Sequence, residues 1–211
     1  MNFVIEPVTN ALAEAAASCV REQVFERERG IRVPPLPARD AMLTLIARGE
    51  SEANPAAVLT VIETTGEDEL HRSLGLIFNP GTRVARYTQL AVLKPYRGLH
   101  LPSQLVLQAH RQFVAPRRID FTWLLFDAER ANSSPFCRQL GFVASSKTFY
   151  TEYGRCRVLT RNEGAARADS SKWRLVPSLA SHKCNGHSVE IIDTHQFPED
   201  RCKSGPILQF A

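Results

Sequence analysis

The fold of this chain is decided by one stretch, Leu90-Ala91-Val92-Leu93-Lys94-Pro95-Tyr96-Arg97-Gly98-Leu99-His100-Leu101-Pro102-Ser103. Its first four residues are continuously apolar and end at Lys-Pro, which predicts a buried strand that stops where proline removes the next hydrogen-bond donor. A short loop with Arg97 and Gly98 follows, and residues 104–113 have the apolar spacing of a helix. The stretch therefore predicts a strand, a glycine-containing turn and a helix, in that order.

This order of elements is suited to binding an anion. The first N–H groups of a helix have no partner within the helix, and the helix dipole favours negative charge at that end. In open sheets built from strands and helices, ligands bind at the carboxyl ends of the strands. We therefore expect the loop after the strand to hold the phosphate of a cofactor.

Composition and charge place the chain among globular proteins of ordinary domain size. It has 211 residues, of which 44% are hydrophobic and 23% are charged, and this balance excludes collagen-like and fully disordered proteins. No apolar run approaches the roughly 20 residues that span a bilayer. The formal net charge is only +4, and the basic residues cluster only at Pro116-Arg117-Arg118. We therefore expect neither a nucleic acid nor a membrane as partner.

The cysteines and the N-terminus indicate the cellular compartment. The five cysteines are scattered and odd in number, without a Cys-x-x-Cys pair, which favours reduced thiols. The first residues lack the basic leader of a signal peptide, so we expect a cytoplasmic protein. The cysteine and histidine residues after position 180 match no zinc-site spacing, and no metal is expected.

The first half of the chain predicts strands and helices in alternation. Residues 3–8 alternate like a strand, and residues 11–29 repeat apolar side chains at helical spacing. A second helix is predicted over Arg39–Arg48. Residues 57–63 then predict a strand, whose antiparallel partner is predicted over Leu70–Phe78.

The second half predicts the strand–helix–strand unit and a tail of different character. The remaining predicted elements are a long strand over 83–93, a helix over 102–115, strands over 119–126, 142–151 and 155–160, and a short helix over 135–140. Residues 163–211 are polar with brief apolar islands. We predict that they form a partly disordered appendage to a single domain over residues 1–162.

This order of elements predicts a mixed α/β domain of the α+β-like kind. Its central mixed sheet is expected to have six to seven strands, and about four helices are expected to accompany it. Pairing is predicted to be antiparallel at first and parallel around the strand–helix–strand unit over 83–126.

Three segments resemble the GNAT superfamily of acyl-CoA-dependent N-acetyltransferases. Residues 21–31 resemble the "R-x-x-V-F-x-x-E-x-G" first helix of one GNAT branch, and residues 90–98 are similar to the "L-A-V-x-P-x-Y-R-G" strand and loop. Residues 135–142 resemble the "F-Y-x-x-L-G-F" helix and turn. The three segments occur in the family's order and together cover the chain from about residue 3 to about residue 160.

The resemblance implies that acetyl-CoA is the co-substrate and that the loop holds its pyrophosphate. The family writes this loop as Arg/Gln-x-x-Gly-x-Gly/Ala, in which glycine lets the backbone approach the phosphate closely. In this chain Arg97 matches, but His100 and Pro102 replace both glycines. The strand is expected to orient the thioester through its backbone. The implied cofactor-binding residues are Leu90, Ala91, Val92, Leu93, Arg97, Gly98, Leu99, His100, Leu101 and Ser103.

Acyl transfer to an amine also needs groups that move protons. The resemblance places the proton donor for the leaving thiolate at position 137, where the family often has tyrosine and this chain has Cys137. For the general base we expect Glu28, at the end of the first helix, or a polar side chain of the long strand, where the candidates are Tyr87, Thr88 and Gln89. A water chain to bulk solvent is a further alternative. A small apolar role for Cys137 and an exposed helix-end role for Glu28 are the structural alternatives.

The expected acceptor is a small-molecule or protein amine, and the protein is expected to be a monomer or a homodimer. One alternative is an acyl-carrier-protein-dependent N-acyl amino acid or acyl-homoserine-lactone synthase. That group also departs from the glycine pattern in the phosphate loop and carries Arg and Phe at this spacing in its first helix. A second alternative is a degenerate, non-catalytic GNAT domain used for binding, because His100, Pro102 and Cys137 depart from the pattern.

Overall fold

A computed structural model describes residues 2–33, 36, 41–50, 52, 54–66, 68–131, 134–151, 154–164 and 190–191. The chain has a mixed α/β fold, as predicted. It divides into two compact units that alternate along the sequence. Of the described residues, those up to 63 and over 85–119 form the first unit, and those over 64–84, from 120 to 164 and at 190–191 form the second.

The first unit contains four neighbouring strands in the order β1-β2-β3-β5. Their bounds are β1 Phe3–Pro7, β2 Met42–Gly49, β3 Pro55–Thr65 and β5 Arg83–Val92, of which β3 and β5 each extend by two residues into the second unit. β1, β2 and β3 pair antiparallel, with Leu45 opposite both Pro7 and Leu59. Because β3 is buried over almost its whole length, it forms the apolar centre of this unit.

The helix predicted over Arg39–Arg48 is wrong, because β2 occupies most of that range. Arg39 itself lies outside the described residues. β2 has a strand on each side and is buried through most of its length, so its apolar residues form a near-continuous run instead of alternating. A short continuous apolar run does not distinguish a buried strand from a helix.

Two long helices cover the first unit, and both were predicted. α1 spans Ala11–Arg21, and Asn10 caps it by accepting a hydrogen bond from the Ala13 N–H at 2.8 Å. The helix continues in wider, π-type turns over Glu22–Arg27. α3 spans Leu101–Ala109 and continues in the same way over His110–Val114.

The second unit contains four further strands of the main sheet, β6 Phe121–Asp127, β7 Val143–Ala144, β8 Phe149–Thr151 and β9 Gly154–Asn162. β9 pairs antiparallel with β6, β7 and β8. α4 spans Pro135–Leu140, as predicted, and Gly141 follows it with a φ of +71°. With β1, β2, β3 and β5 these make eight strands, because the range predicted as one strand over 142–151 divides into two.

The strand predicted over Leu70–Phe78 is largely wrong. Its first part is the short helix α2, Glu69–Ser73, and only Leu76–Ile77 form a strand, β4, which pairs with β10, Glu190–Ile191. Asp68 caps α2 by accepting a hydrogen bond from the Leu70 N–H at 3.0 Å. Local capping therefore decides the conformation of this segment.

A buried polar cluster anchors the strands of the second unit. The Trp123 indole N–H donates to His71 Nε2 at 3.0 Å, and Thr64 Oγ1 lies 3.2 Å from the same nitrogen. A second cluster surrounds Glu163, which accepts from the Thr122 hydroxyl at 2.6 Å and lies 3.3 Å from Arg161 Nη2. Glu163 is fully buried, although it is the first residue of the predicted appendage. The domain boundary at 162 stays a prediction.

Candidate active site

The loop after β5 keeps the predicted order of strand, turn and helix. β5 ends at Val92, and the Leu93 N–H donates to the carbonyl oxygen of Ala56, in β3, at 2.9 Å. A single 3₁₀ turn over Lys94–Tyr96 follows, and α3 begins at Leu101. The loop therefore leaves from the carboxyl end of β5 and enters the helix N-terminus, within the first unit.

Two residues of this loop have left-handed backbone conformations. Gly98 has a φ of +87° and His100 a φ of +57°. A Cβ at Gly98 would meet nothing within 4 Å, so it is the backbone angle, and not crowding, that favours glycine there. His100 stands immediately before α3, and its side chain makes no capping hydrogen bond. The backbone at position 100 thus has the conformation typical of glycine although the residue is histidine.

The accessible part of the loop is shorter than the predicted binding stretch. Arg97, Gly98, Leu99 and His100 are exposed, whereas Leu101 and Ser103, inside the first turn of α3, are buried. The predicted thioester-orienting residues on the strand side are buried or half-buried; they are Leu90, Ala91, Val92 and Leu93. A ligand approaching from solvent therefore meets residues 97–100 first.

The structure brings together two residues that were predicted for different roles. The Arg97 guanidinium donates through Nη2 to the Glu28 carboxylate, and its Nε donates to the Val92 carbonyl oxygen at 3.1 Å. The side chains are 44% and 22% exposed, respectively. One edge of the guanidinium is therefore occupied by an acidic side chain and a strand-end carbonyl.

A cavity of about 590 Å³ lies beside this ion pair. Its lining combines both charged partners with a residue of the π-type turns after α1 and residues of the loop; the lining residues are Gln23, Glu28, Leu93, Lys94, Pro95 and Arg97. Lys94 adds a second cation to the wall and is exposed. The volume falls within the range of small-molecule sites, about 300–1,000 Å³.

The wide turns at the end of α1 carry Glu28 to the loop. The Ile31 N–H donates to the Phe25 carbonyl and Gly30 has a φ of +68°, which ends the helix just after Glu28. Arg27 donates to Glu22 at 2.7 Å, a pair five residues apart that fits π-type turns. This hydrogen bond and the charge of Glu22 raise the pKa of Arg27.

Tyr87, another predicted base, lies in β5 with 4% of its surface exposed. Two positions further along, Gln89 is also buried and has a φ of +51°, which is unusual within a strand. A left-handed residue re-aims the neighbouring backbone groups of a strand, much as a bulge does. The strand is thus irregular immediately before the residues predicted to orient the thioester.

Tyr96 is a loop residue to which sequence reasoning gave no role. Its hydroxyl donates to Glu52 Oε2 at 2.7 Å, and its ring packs edge-on against Phe3 with centroids 6.0 Å apart. The hydrogen bond with Glu52 raises the pKa of the Tyr96 hydroxyl. Tyr96 therefore fastens the turn that precedes Arg97 to β1 and to the connection between β2 and β3.

The remaining predicted catalytic residue, Cys137, belongs to α4 in the second unit. Its side chain lies outside the described part of the structure, so its role stays a prediction. Among the described residues, no three His, Cys, Asp or Glu side chains gather as metal ligands would. No helix in the described ranges combines the length and apolar character needed to cross a bilayer.

Sequence reasoning missed several residues that shape this site. Lys94 and Gln23 line the cavity, and Tyr96 fixes the turn. Lys94 could have been found as the first cation after a buried strand. Nothing local in the sequence signals the bond between Tyr96 and Glu52, which are 44 residues apart.

No protein-family model and no curated protein sequence matches this chain. Solved structures do match. FeeM, an N-acyl amino acid synthase from uncultured soil microbes, superposes with a TM-score of 0.61 at 11% identity, over 79% of this chain and 94% of FeeM. A putative N-acetyltransferase from Lactobacillus plantarum gives 0.57 at 16% identity, over 76% and 97%.

A third similar structure is Arabidopsis thaliana NAA60 in complex with acetyl-CoA. It superposes with a TM-score of 0.59 at 10% identity, over 76% of this chain and 98% of NAA60. The chain therefore has the fold of the GNAT N-acyltransferases, which confirms the fold predicted from the three sequence motifs.

Proposed function

We propose that this protein is an N-acyltransferase that moves an acetyl or other acyl group from acyl-CoA to an amine. The observation that carries the proposal is the loop over residues 93–100. It leaves the carboxyl end of β5, presents Arg97 beside a cavity of about 590 Å³ and enters α3 through left-handed residues. In this fold such a loop is a suitable phosphate site, because backbone N–H groups and the helix dipole both face the anion.

The proposed reaction is direct attack without an acyl-enzyme. The neutral amine nitrogen forms a bond to the thioester carbonyl carbon, the carbon–sulfur bond breaks, and the CoA thiolate leaves. The attacking nitrogen loses one proton and the thiolate gains one. Cys137 is the proposed proton donor, and Glu28 and Tyr87 are the proposed proton acceptors.

The donor has two proposed points of contact. Arg97 and the backbone of Gly98, Leu99 and His100 contact the pyrophosphate, and the start of α3 at Leu101 and Ser103 contributes its dipole. The backbone of Leu90–Leu93 orients the thioester. Pro102 has no N–H group and contributes nothing to the phosphate.

Calorimetric titration with acetyl-CoA, together with thiol release against a panel of amines, tests this function. We expect binding in the micromolar range and amine-dependent release of CoA. Arg97→Met is expected to weaken acetyl-CoA binding at least about tenfold, because a charge-assisted hydrogen bond to phosphate is lost. Arg111→Met, which removes an exposed arginine from the π-type turns after α3, is the matched control. Absence of both heat and thiol release at high micromolar acetyl-CoA would overturn the proposal.

A second candidate is an N-acyl amino acid or acyl-homoserine-lactone synthase that takes its acyl group from a carrier protein. Two observations favour it: the similarity to FeeM, and the phosphate loop in which His100 and Pro102 replace glycine. A carrier protein presents one phosphate, which needs fewer N–H donors than the pyrophosphate of CoA. Turnover with acyl-carrier protein and amino acids, but not with acyl-CoA, would select this candidate.

Binding of acetyl-CoA without thiol release for any amine would instead select the third candidate, a non-catalytic domain of the same fold. The altered positions His100, Pro102 and Cys137 motivate that candidate. Cys137→Ala distinguishes it further, because loss of a proton donor lowers the rate of thiol release but leaves acetyl-CoA affinity unchanged.

A further inference from the structure

The ion pair between Glu28 and Arg97 occupies the group that the proposed function assigns to the donor phosphate. Arg97 uses Nε for the Val92 carbonyl oxygen and Nη2 for the Glu28 carboxylate. These two nitrogens form one edge of the guanidinium, the edge that binds an oxyanion through two parallel hydrogen bonds. A phosphate that uses this edge must take the place of the carboxylate.

The pair is open to exchange with a ligand. Its side chains are 22% and 44% exposed, and both line the cavity next to Lys94. Partly exposed ion pairs hold together weakly, changing an equilibrium constant by about 1.5- to fivefold. A phosphate ester carries more negative charge than a carboxylate, and Lys94 on the same wall attracts it further.

We propose that Glu28 holds Arg97 in a closed ion pair, and that the donor phosphate binds by displacing the Glu28 carboxylate from the guanidinium. This proposal rests on the proposed function, and it adds that Glu28 acts against donor binding. Displacement releases a carboxylate into the cavity, where it can accept a hydrogen bond from the ammonium or amine of the acceptor. Glu28 thereby links occupation of the donor site to the charge offered to the acceptor.

Calorimetric titration with CoA tests the proposal on the full chain. Glu28→Gln removes the charge but keeps the shape, and Glu28→Ala removes the side chain. Glu26→Gln, an exposed carboxylate two residues earlier, makes the same change in net charge and serves as the control. The same Glu28→Gln substitution in an Arg97→Met background asks whether the effect acts through Arg97.

We expect Glu28→Gln and Glu28→Ala to bind CoA about 1.5- to fivefold more tightly than the wild type. Glu26→Gln is expected to bind like the wild type, and Glu28→Gln is expected to change nothing in the Arg97→Met background. Unchanged or weaker CoA binding by Glu28→Gln overturns the proposal. So does an equal increase in affinity in Glu26→Gln, which would indicate a general charge effect.

The outcomes also separate this proposal from the proposed function. If the wild type binds CoA and Glu28→Gln binds it no more tightly, the acyltransferase function stands and the closed ion pair is ruled out. If neither protein binds CoA, the acyltransferase function and the closed ion pair are both ruled out. Binding by Glu28→Gln alone retains the closed pair, as a carboxylate that blocks the site, but removes CoA-dependent acyl transfer as the function of the wild type.

Discussion

His100 adopts the left-handed backbone conformation at the start of α3 with a φ of +57°. Histidine, asparagine and aspartate are more frequent there than other residues with a Cβ, but all are less favourable than glycine. The loss of glycine from the motif therefore preserves the direction of the chain at this point. The same conformation, which glycine adopts freely, carries a free-energy cost for histidine.

We predict that His100→Gly raises the free energy of unfolding by about 0.5–1 kcal/mol. Removing the Cβ relieves about 1–2 kcal/mol of left-handed strain, and the extra chain entropy of glycine in the unfolded state offsets part of this gain. Urea unfolding monitored by tryptophan fluorescence measures the difference. Leu99→Gly is the control. Because Leu99 has a negative φ, this substitution relieves no strain and only adds the chain entropy of glycine to the unfolded state. A less stable His100→Gly protein would contradict the prediction.

The turn over Lys94–Tyr96 is the element that sets the position of Arg97. Its own backbone bonds are few, and the hydroxyl of Tyr96 supplies a tertiary hydrogen bond to Glu52 at 2.7 Å. A turn of one 3₁₀ repeat has little stability by itself. The tyrosine of the motif thus acts on the site through the position of the turn.

The Tyr96–Glu52 hydrogen bond predicts an alkaline dependence of stability. The pKa of the Tyr96 hydroxyl is raised above the ordinary value of 10.0, so folding favours the neutral hydroxyl. The stabilisation is therefore fully present below pH 10 and is lost as the pH rises through the raised pKa of the folded state. The difference in unfolding free energy between wild type and Tyr96→Phe should be constant from pH 7 to about 9 and then shrink.

Urea unfolding at a series of pH values measures this difference. Tyr150→Phe is the matched control, because Tyr150 is 81% exposed and its substitution is expected to leave the profile unchanged. A difference between wild type and Tyr96→Phe that grows above pH 10 would show that the hydroxyl is not the donor in this bond.

The elements were predictable where local signals and tertiary context agree. The long strand β5 and the helix α3 follow from a continuous apolar run and an amphipathic pattern, and both were predicted within a few residues. β2 was predicted as a helix because its burial on both faces depends on partners elsewhere in the chain. α2 was missed because an aspartate cap outweighs the strand-like apolar residues that follow it.

At the scale of the whole molecule, the second unit depends on a buried charge. Glu163 is fully buried and Arg161 is 7% exposed, and the Thr122 hydroxyl donates to the same carboxylate. A buried carboxylate is tolerated only when neighbouring donors compensate for the lost solvation. Arg161 and Glu163, at the end of β9, therefore stabilise the second unit, in part through the hydrogen bond of Glu163 with Thr122 in β6.

We predict that Glu163→Ala lowers the free energy of unfolding by about 3–5 kcal/mol, because Arg161 then stays buried without this carboxylate. The double variant Glu163→Leu/Arg161→Met should lose less than the single variant, since no charge remains to be solvated. Chemical denaturation at neutral pH measures both. Equal losses in the two variants would mean that packing volume, and not charge, governs this position.

Sequence reasoning selected only part of the residues that line the cavity, and it did not predict their arrangement. Motif resemblance selected both Glu28 and Arg97, and the structure places both on one cavity. Their mutual bond joins residues 69 positions apart, so no local pattern indicates it. Which charges face each other depends on how α1 and the loop pack within the first unit, and that packing is a tertiary property.

The π-type turns over Glu22–Arg27 make the site depend on a residue count as well as on residue types. In a regular α-helix each residue advances the chain by about 100° around the axis, whereas a π-type turn closes one residue later and fits one more residue. The same residues in regular α-turns would therefore carry Glu28 further around the axis, away from Arg97. Every side chain of the site would remain in the sequence. Two chains of this fold can therefore share their residue types and still differ in which charge faces the phosphate loop.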